Sequence, residues 1–134
     1  MRRPLYPGLP RPILFAHRGL SSEAPENTFA AFKLALERGI PALELDVHLT
    51  ADGQVVVIHD HETRRVGSGV DRAIEKSNWK DLSGIDVGLW KGERWKDERI
   101  PLLADLLDAL GVSAHWDIEL KNHDQRDYGL EAAV

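Results

Sequence analysis

Residues 42–49 read Ala-Leu-Glu-Leu-Asp-Val-His-Leu, and this segment restricts the chain to few folds. Leu43, Leu45, Val47 and Leu49 fall on one side of an extended strand, Glu44, Asp46 and His48 on the other. Strand side chains repeat with a period of two, so the alternation marks one apolar face and one charged face. A doubly wound sheet, covered by helices on both faces, would read apolar on both. A strand with carboxylates on one face fits a closed barrel, whose inward face is polar toward its C-terminal rim. Two carboxylates two residues apart on that face are close enough to hold one cation between them.

The surrounding chain has the rhythm of alternating strands and helices. A short apolar run at 13–16 ends in His17-Arg18-Gly19. Asn27 or Thr28 can cap a helix in which Phe29, Phe32 and Leu36 recur at helical spacing, with Gly39 placed for a left-handed cap. Ala51-Asp52-Gly53 turns the chain after 42–49, and a third apolar run at 55–58 delivers His59-Asp60. Residues 61–99 are rich in Gly, Asp and Lys with weak periodicity, which predicts an irregular excursion pinned to the body by Trp79, Trp90 and Trp95. Pro101 opens a second helix with an apolar stripe of Leu103, Leu106, Leu107 and Leu110, ended by Gly111. A fourth strand at 114–121 again alternates: Ala114, Trp116, Ile118 and Leu120 against His115, Asp117, Glu119 and Lys121. This order predicts parallel βαβ units.

Taken together, His17-Arg18-Gly19, Pro25-Glu26-Asn27-Thr28, Glu44-Leu45-Asp46-Val47 and His59-Asp60 resemble the glycerophosphodiester phosphodiesterase family. The resemblance continues through Gly67-Ser68-Gly69, Asp86-Val87-Gly88-Leu89-Trp90, Ile100-Pro101-Leu102-Leu103 and Ile118-Glu119-Leu120-Lys121. Each motif alone is weakly specific; the ordered set across residues 13–121 is strongly so. It implies an α/β fold, a TIM-type (β/α)8 barrel, in agreement with the charged strand faces. Such barrels run to about 250 residues, so residues 1–134 are expected to form the N-terminal half of the barrel domain. The closing residues, Tyr128 to Val134, read as the first turns of a helix with no end.

Bulk properties narrow the partners. A net charge of −5 with interleaved signs does not make the clustered basic surface that a nucleic acid needs. Cysteine is absent, which removes disulfides, thiolate metal sites and a cysteine nucleophile. No stretch approaches the ~20 apolar residues of a membrane span, and the proline-rich residues 1–10 read as an extended lead-in without a signal-peptide core. A cytoplasmic protein is expected.

Glu44, Asp46 and Glu119 form an all-oxygen acidic set suited to one hard divalent cation, Mg²⁺ or Ca²⁺. The plain alternative is a solvated charged face, but crowded like charges in a barrel interior repel strongly without a cation. The resemblance implies that His17 and His59 serve as general acid and general base. Imidazole titrates near neutrality, so either ring can take either role. Arg18 and Lys121 can meet phosphate oxygens, and Lys121 can equally balance the carboxylates. Asn27 is explained by helix capping, Glu26 is a further acid near the site, and His48, His61, His115 and His123 are read as structural or surface residues. Two departures from the family pattern stand out. Thr63-Arg64-Arg65-Val66 replaces a Leu-x-Arg-Thr-Thr-like stretch, and Leu102 stands where threonine is common; both are expected to lie away from the chemistry.

The implied activity is metal-dependent hydrolysis of a small glycerophosphodiester to glycerol 3-phosphate and an alcohol. A lysophospholipase-D-like enzyme would use the same constellation. The reading from another class is a catalytically silent half-barrel, a fragment or a binding subunit, whose open sheet edges favour self-association.

Overall fold

The computed structural model describes residues 6–122 and 129–134. His123, Tyr128 and the first five residues of the lead-in lie outside the described residues. In chain order the elements are β1 (Phe15–His17), α1 (Phe29–Glu37), β2 (Ala42–Leu49), β3 (Val55–Val57), α2 (Trp79–Leu82), α3 (Leu103–Leu110), β4 (His115–Leu120) and α4 (Leu130–Ala133). Short 3₁₀ turns lie at Ile74–Lys76, Leu89–Lys91, Glu93–Trp95 and Gly111–Ser113. Among the described residues no helix is long and apolar enough to cross a membrane.

Strand β2 has the expected bounds and organises the sheet. Leu43, Leu45 and Val47 are fully buried and pack with Phe32 and Ala35 of α1, Leu103 and Leu106 of α3, and Leu130 of α4. Thr28 caps α1: its hydroxyl accepts the Ala31 N–H at 3.2 Å and donates to the Pro25 carbonyl at 2.7 Å. Gly39 follows the helix with φ +76°, the left-handed turn that glycine adopts without a Cβ clash. Both β1 and β4 run parallel to β2. The Glu44 carbonyl accepts from Arg18 N–H and the Val47 carbonyl from Lys121 N–H, both at 3.0 Å. Successive carbonyls of a strand point to opposite edges, so β1 and β4 flank β2 on its two sides.

The third strand corrects the expectation of parallel units throughout. β3 is antiparallel to β2, with Val57 opposite Val47 and Val55 opposite Leu49. A parallel return needs a crossover of about a dozen residues, and the link between β2 and β3 is far shorter. It is a tight turn in which Thr50 N–H bonds the Gln54 carbonyl and Gln54 N–H bonds Thr50 Oγ1, each at 2.9 Å. Ile58 N–H reaches the Asp46 carbonyl at 3.0 Å. That carbonyl faces the same edge as Glu44's, so β3 descends the edge that β1 climbs. His17 and His59 therefore approach the acidic strand from opposite directions along one edge.

The segment 61–99 holds only short helical turns, and tryptophan does not anchor it in the way anticipated. Val56, Ile58, Val66, Ile74, Leu82, Ile85, Val87 and Ile100 form a second buried cluster, with Trp79 and Leu102 packed against it. Trp90 is 39% exposed and its indole N–H only reaches back to the Val87 carbonyl at 2.8 Å. Trp95 lies under Arg94, 4.3 Å from the guanidinium carbon to the ring centroid. Aliphatic burial holds the segment.

The loop leaving β1 leaves no room for side-chain variation at Gly19. Its φ is +77°, and a Cβ there would sit 2.7 Å from the Ala31 backbone and side chain. Gly19→Ala is expected to cost about 2 kcal/mol or more, since strain at positive φ adds to a backbone clash. Thermal denaturation followed by circular dichroism should show a melting temperature several degrees lower.

Candidate active site

Register places the acids. Asp46 lies directly beside Glu119 across the β2–β4 pair, and Glu44 lies beside His17 across the β1–β2 pair. Because Glu44 and Asp46 are two apart, all three acids share one face. Each offers a carboxylate oxygen, and those atoms lie within 4.8 Å of one another. Asp46 is fully buried, Glu44 partly so, and Glu119 is exposed.

Asp46 is the centre of the group. Its Oδ2 accepts from Asn27 Nδ2 at 3.0 Å, and its backbone N–H reaches Asn27 Oδ1 at 3.5 Å. Arg18 Nε stands 3.4 Å from Oδ2 and Lys121 Nζ 3.4 Å from Oδ1. Yet among the described residues neither Asp46 Oδ1 nor Arg18 Nε makes a hydrogen bond, although both are buried. A buried carboxylate oxygen without a hydrogen bond is costly unless something else meets it. Burial, then the charge of Asp46, pushes the Glu44 carboxyl above its ordinary range. A hard cation bound by oxygens relieves both conditions, and an all-carboxylate set matches Mg²⁺ or Ca²⁺ chemistry better than zinc. The residues present fit such an ion.

Arg18 and Lys121 face the carboxylates. Arg18 has φ +59°, and its backbone N–H bonds Glu44 Oε2 at 3.0 Å while Nη1 bonds Glu26 Oε1 at 3.2 Å. Lys121 Nζ donates to Glu119 Oε1 at 2.6 Å. The hydrogen bond from Lys121 holds the Glu119 carboxyl below its ordinary range. Burial works against the Lys121 ammonium, but the Glu119 and Asp46 carboxylates outweigh it and raise its pKa.

The two histidines differ in setting. His17 is largely exposed, with Nε2 3.8 Å from Glu44 Oε2. His59 Nδ1 lies 2.7 Å from Asp60 Oδ1. The Arg65 hydrogen bonds hold the Asp60 carboxyl down at about 2. An ionised carboxylate can only accept, so Nδ1 carries the proton and donates. A cleft of about 380 Å³ opens beside His59, lined also by Glu119, Lys121 and Asn122.

Four residues take part that the sequence reading passed over or assigned elsewhere. Asn27 has φ +56° and is buried; it holds Asp46, and Thr28 alone caps the helix. His48 is buried, as a structural residue would be, and its Nε2 lies 2.9 Å from the His59 carbonyl. A carbonyl only accepts, so Nε2–H donates; burial lowers the pKa of this ring. Asp60 backs His59, and Arg65 binds both Asp60 and Glu26. The stretch at 63–66, expected to lie away from the chemistry, thus reaches the site through Arg65. Motif order signalled Asn27 and Asp60. The signal for Arg65 was the arginine of the Leu-x-Arg pattern, which falls at 65 and not at its neighbour Arg64, which pairs with Asp71 on the surface.

The parallel strands, their helices and the carboxylates on the inward strand face define the class of protein: the first half of a TIM-type (β/α)8 barrel bearing a polar site. The chain belongs to the glycerophosphoryl diester phosphodiesterase family, which matches residues 17–131. A glycerophosphodiester phosphodiesterase of Caldanaerobacter subterraneus is 41% identical over 99 residues, 74% of this chain and 40% of that protein. The crystal structure of a glycerophosphodiester phosphodiesterase from Agrobacterium tumefaciens is similar at 38% identity and a TM-score of 0.78, covering 82% of this chain and 47% of that one. A phosphodiesterase from Oleispira antarctica, solved in complex with the product sn-glycerol-3-phosphate, matches with the same identity and TM-score over 82% of this chain and 44% of that one. The chain thus spans less than half the length of each of these three proteins.

Proposed function

We propose that this chain supplies the acidic and proton-transferring half of a metal-dependent phosphodiesterase site that hydrolyses a small glycerophosphodiester to glycerol 3-phosphate and an alcohol. The observation that carries the reading is the set Glu44, Asp46 and Glu119, gathered within 4.8 Å and flanked on one strand edge by His17 and His59. A divalent cation held by these three would supply Lewis-acid stabilisation of charge on the phosphoryl oxygens. One histidine takes a proton from the nucleophile, a water or the neighbouring glycerol hydroxyl, and the other returns one to the departing alkoxide. Arg18 and Lys121 offer cationic donors to the phosphate. Glu26 and Asn27 hold Arg18 and Asp46 in place.

The metal is tested first. Mg²⁺ or Ca²⁺ is expected to raise the melting temperature, increasingly with the logarithm of its concentration above the dissociation constant, because an ion that binds only the folded chain stabilises it by mass action. The double variant Glu44→Gln, Asp46→Asn is expected to lose that rise. A double variant that responds to metal as the parent does would show that the acidic set is not the site.

A further inference from the structure

A chain of ion pairs runs from His59 to the acidic strand, and Arg65 is one of its links. Its guanidinium makes two bonds to each of two carboxylates. Nε donates to Asp60 Oδ2 at 2.8 Å and Nη2 to Asp60 Oδ1 at 3.1 Å. Nη1 donates to Glu26 Oε2 at 2.9 Å and Nη2 to Glu26 Oε1 at 2.7 Å. Beyond Glu26 the chain continues through Arg18 to Asp46 and Glu44. Beyond Asp60 it ends at His59.

We propose that Arg65 is a positioning residue for His59: its fork fixes the plane of Asp60, and Asp60 in turn fixes the tautomer and ring orientation of the histidine. This rests on the reading of His59 as a proton-transferring group and adds how that group is set. With Nδ1–H spent on Asp60, Nε2 is the atom left to work, as an acceptor in the neutral ring or a donor in the imidazolium.

The geometry supports a role beyond bracing the loop. Asp60 is next to His59 in sequence and its side chain is 26% exposed, so alone it would rotate and exchange its partner for water. Two parallel bonds from Arg65 remove that rotation, which is the particular strength of a guanidinium–carboxylate fork. Arg65 cannot drift with Asp60, because its other two bonds reach Glu26, 39 residues away in sequence. That loop is itself joined to the acidic strand through Arg18. The ring of His59 is therefore referenced to the carboxylates it works beside and not only to its own loop. His48 adds a hold on the backbone by donating to the His59 carbonyl.

Lysine would not replace this fork. An ammonium is a point charge with no fixed plane, so it could neutralise Asp60 without orienting it.

The test reads the tautomer directly, in the whole chain without substrate, by long-range proton–nitrogen correlation of ¹⁵N-labelled histidine above its titration range. The parent is expected to show His59 mainly as the Nδ1–H form, against the Nε2–H form that an unrestrained imidazole side chain prefers in water. Asp60→Ala sets the scale for complete loss of that bias. Arg65→Met is expected to move His59 most of the way to the Asp60→Ala ratio, while the His48 signals stay in place and report an intact fold. Arg65→Lys, which keeps the charge and loses the fork, is expected to fall between. A parent already in the Nε2–H form, or a folded Arg65→Met with the parent ratio, would overturn the proposal; if Arg65→Met does not fold, an Arg65→Lys variant with the parent ratio does so. Because no turnover is read, failure here leaves the proton-transfer reading standing, to be judged by the His59→Ala rate.

Discussion

His17→Ala and His59→Ala, each placed in a complete barrel carrying this chain as its first half, are expected to lower turnover of a glycerophosphodiester by ~10²-fold or more, the usual cost of losing a general acid or base. Stabilisation by metal should survive in both, since neither imidazole is among the three groups that converge on the acidic site. The roles should separate by leaving group. A nitrophenolate departs without help from an acid, so the histidine that protonates the natural alkoxide becomes nearly dispensable on that substrate. The base stays essential on both. The measurement is kcat for four combinations, two variants on two substrates. Near-parental rates of both variants on the poor leaving group would make the histidines structural.

The second large effect concerns the chain by itself. In the described sheet β1, β3 and β4 all flank β2, and neither β1 nor β4 has a strand on its other edge among the described residues. Unpaired parallel edges invite pairing with another chain. The apolar side of β4 adds to the drive: Leu120 is 37% exposed, and among the described residues the buried indole Nε1 of Trp116 makes no hydrogen bond. Trp116 does pack edge-on against Phe32, with ring centroids 5.6 Å apart, so part of its cover is intact. The 134-residue chain is expected to sediment as an oligomer, with a broad or concentration-dependent melt. A monodisperse monomer that melts cooperatively would show that three parallel strands and their helices suffice.

What the sequence revealed follows from which interactions are local. Strand β2 was legible to the residue because its alternation is long and one face is fully buried, so a slip of one position would invert every side chain. The same alternation put Glu119 on the polar face of β4, and the pairing register then sets it beside Asp46. The direction of β3 was missed although its cause was in view. A few residues around Ala51-Asp52-Gly53 cannot carry a parallel crossover, and Gly53 at φ +80° makes the return a hairpin. The three acids could be read because strand geometry fixes them. Their supports could not, since Arg18 and Asn27 reach Asp46 from left-handed backbone positions in a loop, a conformation uncommon for either residue. Trp90 and Trp95 misled for the opposite reason: size suggested burial, whereas the excursion fills its core with smaller aliphatic side chains.

The two buried clusters carry different parts of the site. Glu44 and Asp46 alternate with Leu43, Leu45 and Val47, and Glu119 projects from the neighbouring strand, so the acids stand on the main core. His59, Asp60 and Arg65 lie between Ile58 and Val66, both of which belong to the second cluster. Folded proteins open in contiguous units with separate free energies. If the smaller cluster opens first, the protein passes through a form that still concentrates negative charge at the strand face but has lost one of its proton carriers. Such a form would hold on to a divalent ion and to whatever phosphate accompanies it without turning anything over. Inactivation and unbinding would then be distinct events, occurring at different temperatures in the same molecule.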